Sequence, residues 1–199
     1  SFHTVGGHNR QSIVALDAAT GLATAWNPGS IDDPFSTVYA LALSGSTIYA
    51  GGDFGIMGGQ FRYNLAAVDA NTGSATSWNP IATGFPSSVP PYVYAVAVSG
   101  TRVYAGGGFT IIGGQDRKYL AALDATTGLA TAWNPDASSP VYCVTLSGST
   151  VYTGGRFSGM GIWYRPNLAA FDATTGLLTA WSPGEVAGTG GALTVVYAL

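Results

Sequence analysis

Lysine is nearly absent from this chain: Lys118 stands alone, and with six arginines it brings the bases to seven against ten acids, a net charge of −3 over 199 residues. No basic stripe exists to neutralise phosphates, so nucleic acid is excluded as a partner. Cysteine is as scarce. Cys143 is the single thiol, which rules out an internal disulfide framework. It takes the slot that Ala40, Ala95 and Ala198 hold in sister segments, and a small buried residue is the reading, since buried thiols are inert. His3 and His8 are the two histidines, and Gln60 and Gln115 replace His8 in the later segments. That substitution fits a hydrogen-bonding loop residue better than a metal ligand. No metal-spaced cluster, nucleophile elbow or phosphate loop is present. The adjacent carboxylates Asp32 and Asp33 lie just before Pro34 in a variable stretch. No cofactor and no metal are therefore expected.

Long apolar runs are missing too. Gly, Ser, Thr or Asp interrupts every hydrophobic stretch well short of the roughly 18 residues that a membrane helix needs. The chain opens on Ser1 without a charged and then apolar leader, and the start reads as processed or trimmed. Charged residues make up 9% of the sequence and Glu185 is its one glutamate, where about 25% charge is ordinary for a globular domain. With 47% apolar residues and 29 glycines, the chain is far from disordered. An extracellular or cell-surface protein is expected from that composition.

What the chain does contain is a repeat. Val38 to Pro80 recurs as Val93 to Pro135 and Val141 to Pro183; residues 1–28 match the back half of the unit, and VVYAL at 195–199 opens another. Tyr39 to Trp78, Tyr94 to Trp133 and Tyr142 to Trp181 each span 39 residues, so all length variation falls between units. Such variable connectors are exposed loops.

Four short strands are predicted per unit, each bounded by turn residues. In the first full unit they are Val38–Leu43, Thr47–Ala50 stopped by Gly51-Gly52, Asn64–Val68, and Ser74–Trp78 stopped by Asn79-Pro80. Both faces of VYALAL are apolar or small, which predicts a strand buried on both sides. A period near 50 residues with four strands is the pattern of a β-propeller blade. The expected fold is all-β: one propeller region over 1–199 with about four blades (1–28 partial; 38–80, 93–135 and 141–183 full; 195–199 a further first strand), part of a larger propeller or completed between molecules. Aligning the two ends leaves positions 42–52 of the unit unfilled, an open strand edge suited to association, with 195–199 joining the strands near 1–28 of the next molecule.

Asp17, Asp69, Asp124 and Asp172 each stand four residues before a glycine. The carboxylate bonds amides of its own turn while the glycine supplies a positive φ, a reading preferred to a calcium site, which wants more carboxylates per loop. Trp26, Trp78, Trp133 and Trp181 read as plugs between blades. Arg10, Arg62, Arg117 and Arg165 stand seven residues before each turn Asp, too far along an extended segment, roughly 23 Å, to pair with it. They either clamp the Gly-rich loop or form a ring of ligand contacts, because a five-donor guanidinium fits carbonyls and anions alike. Trp163 and Tyr164 break the polar pattern of that loop, as a contact for a glycan or another subunit or as loop packing.

The run GGDF-x-x-x-GG-x-x-R-x-x-LAA-x-DA-x-TG-x-x-T-x-W-NP resembles the bacterial secreted β-propeller repeats of the delta-60-like type (domain of unknown function 5122). More distantly, AALDATTGLATAW is similar to the tryptophan-docking motif of quinoprotein propellers, and the IYAGG ending to kelch repeats. The delta-60-like resemblance implies building material of long extracellular proteins, without catalytic residues. The quinoprotein resemblance implies pyrroloquinoline quinone, but the adjacent cysteine pair is missing and four blades fall short of eight, so it supports the fold and not the cofactor. The resulting expectation is a non-catalytic structural or interaction module of a surface, appendage or adhesin-like assembly, with copies of itself, other surface proteins or glycans as partners. A carbohydrate- or small-ligand-binding propeller is the alternative, and a lyase or quinoprotein-like oxidoreductase comes third.

Overall fold

A computed structural model describes residues 2–29, 36–84, 89–183 and 194–199. Asp32, Asp33 and Glu185 lie outside the described residues. Every regular element among those described is a strand: β1 (Thr4–Val5), β2 (His8–Asn9), β3 (Thr37–Ser44), β4 (Thr47–Asp53), β5 (Ile56–Met57), β6 (Gln60–Phe61), β7 (Leu65–Asp69), β8 (Val93–Ser99), β9 (Arg102–Gly107), β10 (Ile111–Ile112), β11 (Gln115–Asp116), β12 (Leu120–Asp124), β13 (Val141–Ser147), β14 (Thr150–Gly155), β15 (Gly159–Met160), β16 (Trp163–Tyr164) and β17 (Leu168–Asp172). The architecture is the all-β propeller arrangement that the repeat implies. Three antiparallel sheets, ordered β3-β4-β7, β8-β9-β12 and β13-β14-β17, are its blades, and β3, β8 and β13 lie side by side.

The period-2 alternation of a strand explains how one short sequence holds two neighbours at once. Leu65 and Ala67 of β7 face a core shared with Val93, Val96 and Val103 of the next blade. Ala66 and Val68 face the other way, into a core with Ile13 and Trp26 of the preceding unit. A third core joins Leu120, Ala122 and Trp133 to Val141, Val151 and Phe171. The cores of this protein therefore lie between blades rather than within them.

Three strand expectations differ from the structure. The second strand does not stop at its glycine pair: β4 runs through Gly51-Gly52 to Asp53. A Cβ on Gly51 would meet the Val93 and Val96 side chains at 2.6 and 2.8 Å, so the glycine is there to let the next blade approach. The fourth segment is not a full strand, because it joins the sheet through one bridge per unit, such as Val68 to Ala75. One residue beyond, the Thr76 hydroxyl accepts the Trp78 N–H at 3.2 Å, which bends the chain out of the ladder and turns the indole toward the next blade. Finally, VYALAL is not covered on both sides. Tyr39, Leu41 and Leu43 of β3 are exposed, whereas Val93, Ala95 and Val96 of β8 are buried. The strand preceding in space, β4, covers β8; no described strand covers β3 in that way.

Small hairpins, β1-β2, β5-β6, β10-β11 and β15-β16, occupy the loop between second and third strands. Paired glycines at positive φ, such as Gly58 and Gly59, close the first three of these two-residue turns, and Gly161 stands with Ile162 in the fourth. They were not foreseen, since strands of two residues leave no periodicity to read.

Candidate functional site

The arginines, aspartates and tryptophans of the repeat each have protein partners. Asp124 Oδ1 accepts the amides of Thr126 and Thr127 at 3.0 and 2.7 Å and the Thr127 hydroxyl at 2.9 Å. Asp17, Asp69 and Asp172 accept turn amides in the same way. These bonds favour the ionised form and hold each carboxyl below its ordinary range, led by the Thr127 amide at Asp124 and by the Thr20 hydroxyl at Asp17. The tryptophans link blades: Nε1 of Trp26, Trp78 and Trp133 donates to the carbonyls of Asp69, Asp124 and Asp172 in the following unit, at 3.1, 2.9 and 3.0 Å. Trp181 is 40% exposed.

Arg62 lies in the hairpin loop and donates to Phe61 O at 2.8 Å and Thr76 O at 2.6 Å. It ties the hairpin to the fourth segment of its own blade. Arg10 and Arg117 make the matching bonds to Thr24 O and Thr131 O at 2.5 and 2.7 Å, and Arg165 donates to Tyr164 O at 3.0 Å. Trp163 and Tyr164 form β16 and are exposed beside Ile162 at the hairpin tip. His8 is exposed in β2. Cys143 is half-buried, its Sγ 3.8 Å from Val196 O, and burial pushes its thiol up.

The feature that the tertiary structure assembles is a row of tyrosines. Each first strand carries a β-bulge at the tyrosine that follows its valine (Val38, Val93 and Val141). Val38 pairs with Gly52 and Ala40 with Gly51, which leaves Tyr39 without a ladder partner; Tyr94 and Tyr142 stand at the same irregularity. A bulge re-aims the side chain of its extra residue. Here it brings tyrosines of successive units together: ring centroids are 5.6 Å apart for Tyr39 and Tyr94, and 5.2 Å for both Tyr94–Tyr142 and Tyr142–Tyr197. Tyr92, from a connector, packs against Tyr39 and Tyr94 at 6.2 and 6.4 Å. Strand direction places this row on the same face as the connectors and the hairpin loops.

Asp53 and Arg156 follow the glycine pairs of β4 and β14 and flank the row. Asp53 accepts the Tyr92 phenol, which raises that phenol's pKa, while the Arg156 charge acts on Tyr142 in the opposite sense to burial. Burial, followed by the neighbouring phenols, pushes Tyr94 up to about 12. Tyr39 and Tyr197 keep much of their surface exposed. The site is thus a neutral aromatic strip with hydroxyls, one acid and one base. Its sequence signal was the tyrosine in the second position of every first strand, which served only as a ruler for the repeat.

A tricarboxylate quinone would need several free cationic donors. Arg10, Arg62, Arg117 and Arg165 hold backbone carbonyls, Arg102 donates to Ala173 and Thr174 carbonyls, and Lys118 pairs with Asp136 at 3.6 Å. Among the described residues no group of three or more His, Cys, Asp or Glu side chains is arranged to hold a metal ion. These residues do not fit that cofactor.

A family model described as outer membrane protein assembly factor BamB matches residues 3–183. No curated protein matches the sequence. Among solved structures, the computationally designed Ika4 protein is similar at 14% identity and TM-score 0.34, over 69% of this chain and 92% of that one. A chain of the mitotic checkpoint complex is similar at 14% identity and TM-score 0.44, over 82% of this chain and 55% of that one. The designed Ika8 protein matches at 14% identity and TM-score 0.36, over 81% of this chain and 64% of that one. Among the described residues no helix is long and apolar enough to cross a membrane.

Proposed function

Because the chain belongs to the family described as outer membrane protein assembly factor BamB, a family of β-propeller repeats, we propose that it is a non-catalytic interaction module of an extracellular or cell-surface assembly, with its tyrosine row as the contact surface. The observation that carries this reading is the row Tyr39-Tyr94-Tyr142-Tyr197, its first three members borne on β-bulges. Tyrosine supplies large contact area at low conformational cost, and aromatic side chains are enriched at the energetic centres of protein interfaces. The low charge of the chain and the likeness of its repeat to delta-60-like repeats support a place outside the cytoplasm.

The chemistry-bearing side chains of the repeat support a scaffold rather than a catalyst. Its carboxylates hold turn amides and its guanidiniums hold carbonyls through their terminal nitrogens, while the buried Nε of Arg10, Arg62, Arg117 and Arg165 has no hydrogen-bond partner among the described residues. A photo-crosslinking residue placed at position 39 tests the proposal, with the exposed Leu22 position as control. Discrete adducts from position 39 alone are expected in cell-envelope material. Equal labelling from both positions would refute the assignment of the face, and an adduct of twice the chain's mass would identify the partner as another copy.

A second reading, carbohydrate binding, is favoured by the exposed pair Trp163 and Tyr164, because aromatic faces beside hydroxyls suit sugar rings. A glycan array probed with the native chain and with Trp163→Ala separates the two. Binding lost in the variant would support the glycan reading over the tyrosine row.

A further inference from the structure

A cleft of about 480 Å³ opens where the loops of blade β8-β9-β12 meet those of blade β13-β14-β17, lined by Thr110, Lys118, Tyr119, Asp136, Ser138 and Gly161, among others. That volume lies within the range of small-ligand sites. Thr110, Lys118 and Tyr119 flank the hairpin β10-β11, Asp136 and Ser138 belong to the connector, and Gly161 sits in the turn between β15 and β16. The connector is fastened in place. Ser138 N–H donates to Gly159 O at 3.0 Å and Gly161 N–H to Asp136 O at 2.9 Å, and the Ser138 hydroxyl accepts the amides of Ser158 and Gly159, both at 3.1 Å. The walls of the cleft are therefore held by bonds of the protein's own.

Its residues depart from the repeat. Tyr63, Asn64 and Ile81 hold the places of Lys118, Tyr119 and Asp136 one unit earlier. The chain's one lysine and an aspartate thus replace a tyrosine and an isoleucine, and they face each other with Nζ 3.6 Å from Oδ1 and with 59% and 50% of their side chains exposed. Tyr119 stands at φ 64°, where Asn64 and Asn167 have 64° and 66°. Asparagine tolerates that conformation, whereas a bulky ring there is an outlier, and such strain clusters at functional sites. Asn64 uses its place to bond the connector, donating to Ala82 O at 3.0 Å; Tyr119 instead lends its side chain to the cleft wall. The interface one unit earlier closes without these three residues, so the fold does not require them.

We infer, resting on the carbohydrate reading, that this cleft binds a neutral sugar ring through two adjacent hydroxyls held between Lys118 and Asp136. At 3.6 Å the two charged groups stand beyond direct hydrogen-bond length. Each keeps capacity, since an ammonium has three donors and a carboxylate about four acceptor sites. A vicinal diol carries donors for Asp136 and acceptors for Lys118 on neighbouring atoms, so it satisfies both groups without parting them. One positive and one negative charge leave the lining neutral. An anion would meet Asp136 and a cation would meet Lys118, each at a cost, and a zwitterion would have to separate the pair. Tyr119 and Ala137 supply apolar wall for the C–H side of the ring.

The test titrates the methyl glycosides of glucose, galactose and mannose into the isotopically labelled whole chain and follows amide shifts by NMR. Saturable binding of at least one is expected, with shifts centred on residues 118–119, 136–138 and 161. Lys118→Met and Asp136→Asn should each weaken it at least about tenfold. Both side chains are exposed, and asparagine accepts the φ of 52° at position 136, so the fold is retained. The same glycoside with every hydroxyl methylated should not bind, and Trp163→Ala should leave these single-ring ligands unaffected. Binding lost in Trp163→Ala but kept in Lys118→Met would overturn the inference and leave the carbohydrate reading standing. Saturation by none of the three sugars would overturn it too, with the glycan array then deciding the carbohydrate reading alone. Equal binding of the methylated sugar, or saturation of the cleft by glycine and by no sugar, would count against it in the same way.

Discussion

Replacing Trp133 tests the claim that the blades are held together across their interfaces. Its side chain is 2% exposed and packs edge-on against Tyr104 at 5.3 Å and Phe171 at 5.7 Å. Its Nε1 donates to Asp172 O of the next blade at 3.0 Å. Trp133→Ala removes an indole from a closed interface, a change that costs about 3–5 kcal/mol in protein cores. Trp133→Phe retains most of the ring contacts and removes one of two donors to the Asp172 carbonyl, which keeps the Gly176 N–H at 2.9 Å, a loss of about 0.5–1.5 kcal/mol. Trp181, at the same repeat position but 40% exposed, keeps a ring contact with Tyr152 at 5.3 Å, so Trp181→Ala should cost only about 1–2 kcal/mol. Urea denaturation followed by circular dichroism measures all three. With a denaturant slope of about 2 kcal/mol/M, Trp133→Ala moves the midpoint down by about 1.5–2.5 M, and the other two by less than about 1 M. Equal losses for Trp133→Ala and Trp181→Ala would refute the reasoning, because repeat position rather than the interblade contact would then set the cost.

The arginine clamp makes a sharper chemical distinction. Arg62→Met should lose about 1.5–3 kcal/mol, as charge-assisted bonds to Phe61 O and Thr76 O disappear, and Arg62→Lys should recover little, since an ammonium cannot reproduce the planar fork; full stability in the lysine variant would count against the clamp. The turn carboxylates predict acid sensitivity. Asp124 has a folded pKa below its ordinary value of 3.8, so its contribution is present above that value and is lost as pH falls through the lower folded one. The urea midpoint should therefore drop more steeply below about pH 4 in the native chain than in Asp124→Asn, and parallel profiles would show that the turn bonds carry no linkage. At the alkaline end, Tyr94 is held neutral up to about 12; that stability is complete below the ordinary value of 10 and is lost as pH rises through the folded one. Tyrosinate absorbance should show one phenol titrating late in the native chain and absent from Tyr94→Phe, and identical titrations would contradict the packing of the row.

How much could be read beforehand depended on how far apart the interacting groups lie in the chain. The Asp turns were legible because Asp124 and Thr127 are three residues apart and the bond forms within one turn. The tryptophan plugs were legible in kind, since a large apolar side chain at a fixed place in a repeat has to be covered, although the acceptor on the next blade was not. The arginine could be separated from its own Asp by strand length alone, but Thr76 O became its partner only when the fourth segment folded back beside the hairpin. The glycine pairs were misread as strand ends. A glycine that stops a strand and a glycine that lets another blade approach look the same until Val93 and Val96 are in place.

By itself, the sequence determined the repeat length, the turn chemistry, the all-β class and the sparse charge, because each is a local pattern restated in every unit. The tertiary structure alone decided where identical patterns meet different neighbours. Val96 and Leu41 hold the same place in their strands, and one is covered by a glycine-bearing second strand while the other is open. Tyr39, Tyr94, Tyr142 and Tyr197 are far apart in the chain, and bulges and blade stacking set them 5.2 to 5.6 Å apart. Hydrogen bonds within a turn need only neighbours in sequence, whereas an aromatic row exists only once whole blades have been laid side by side.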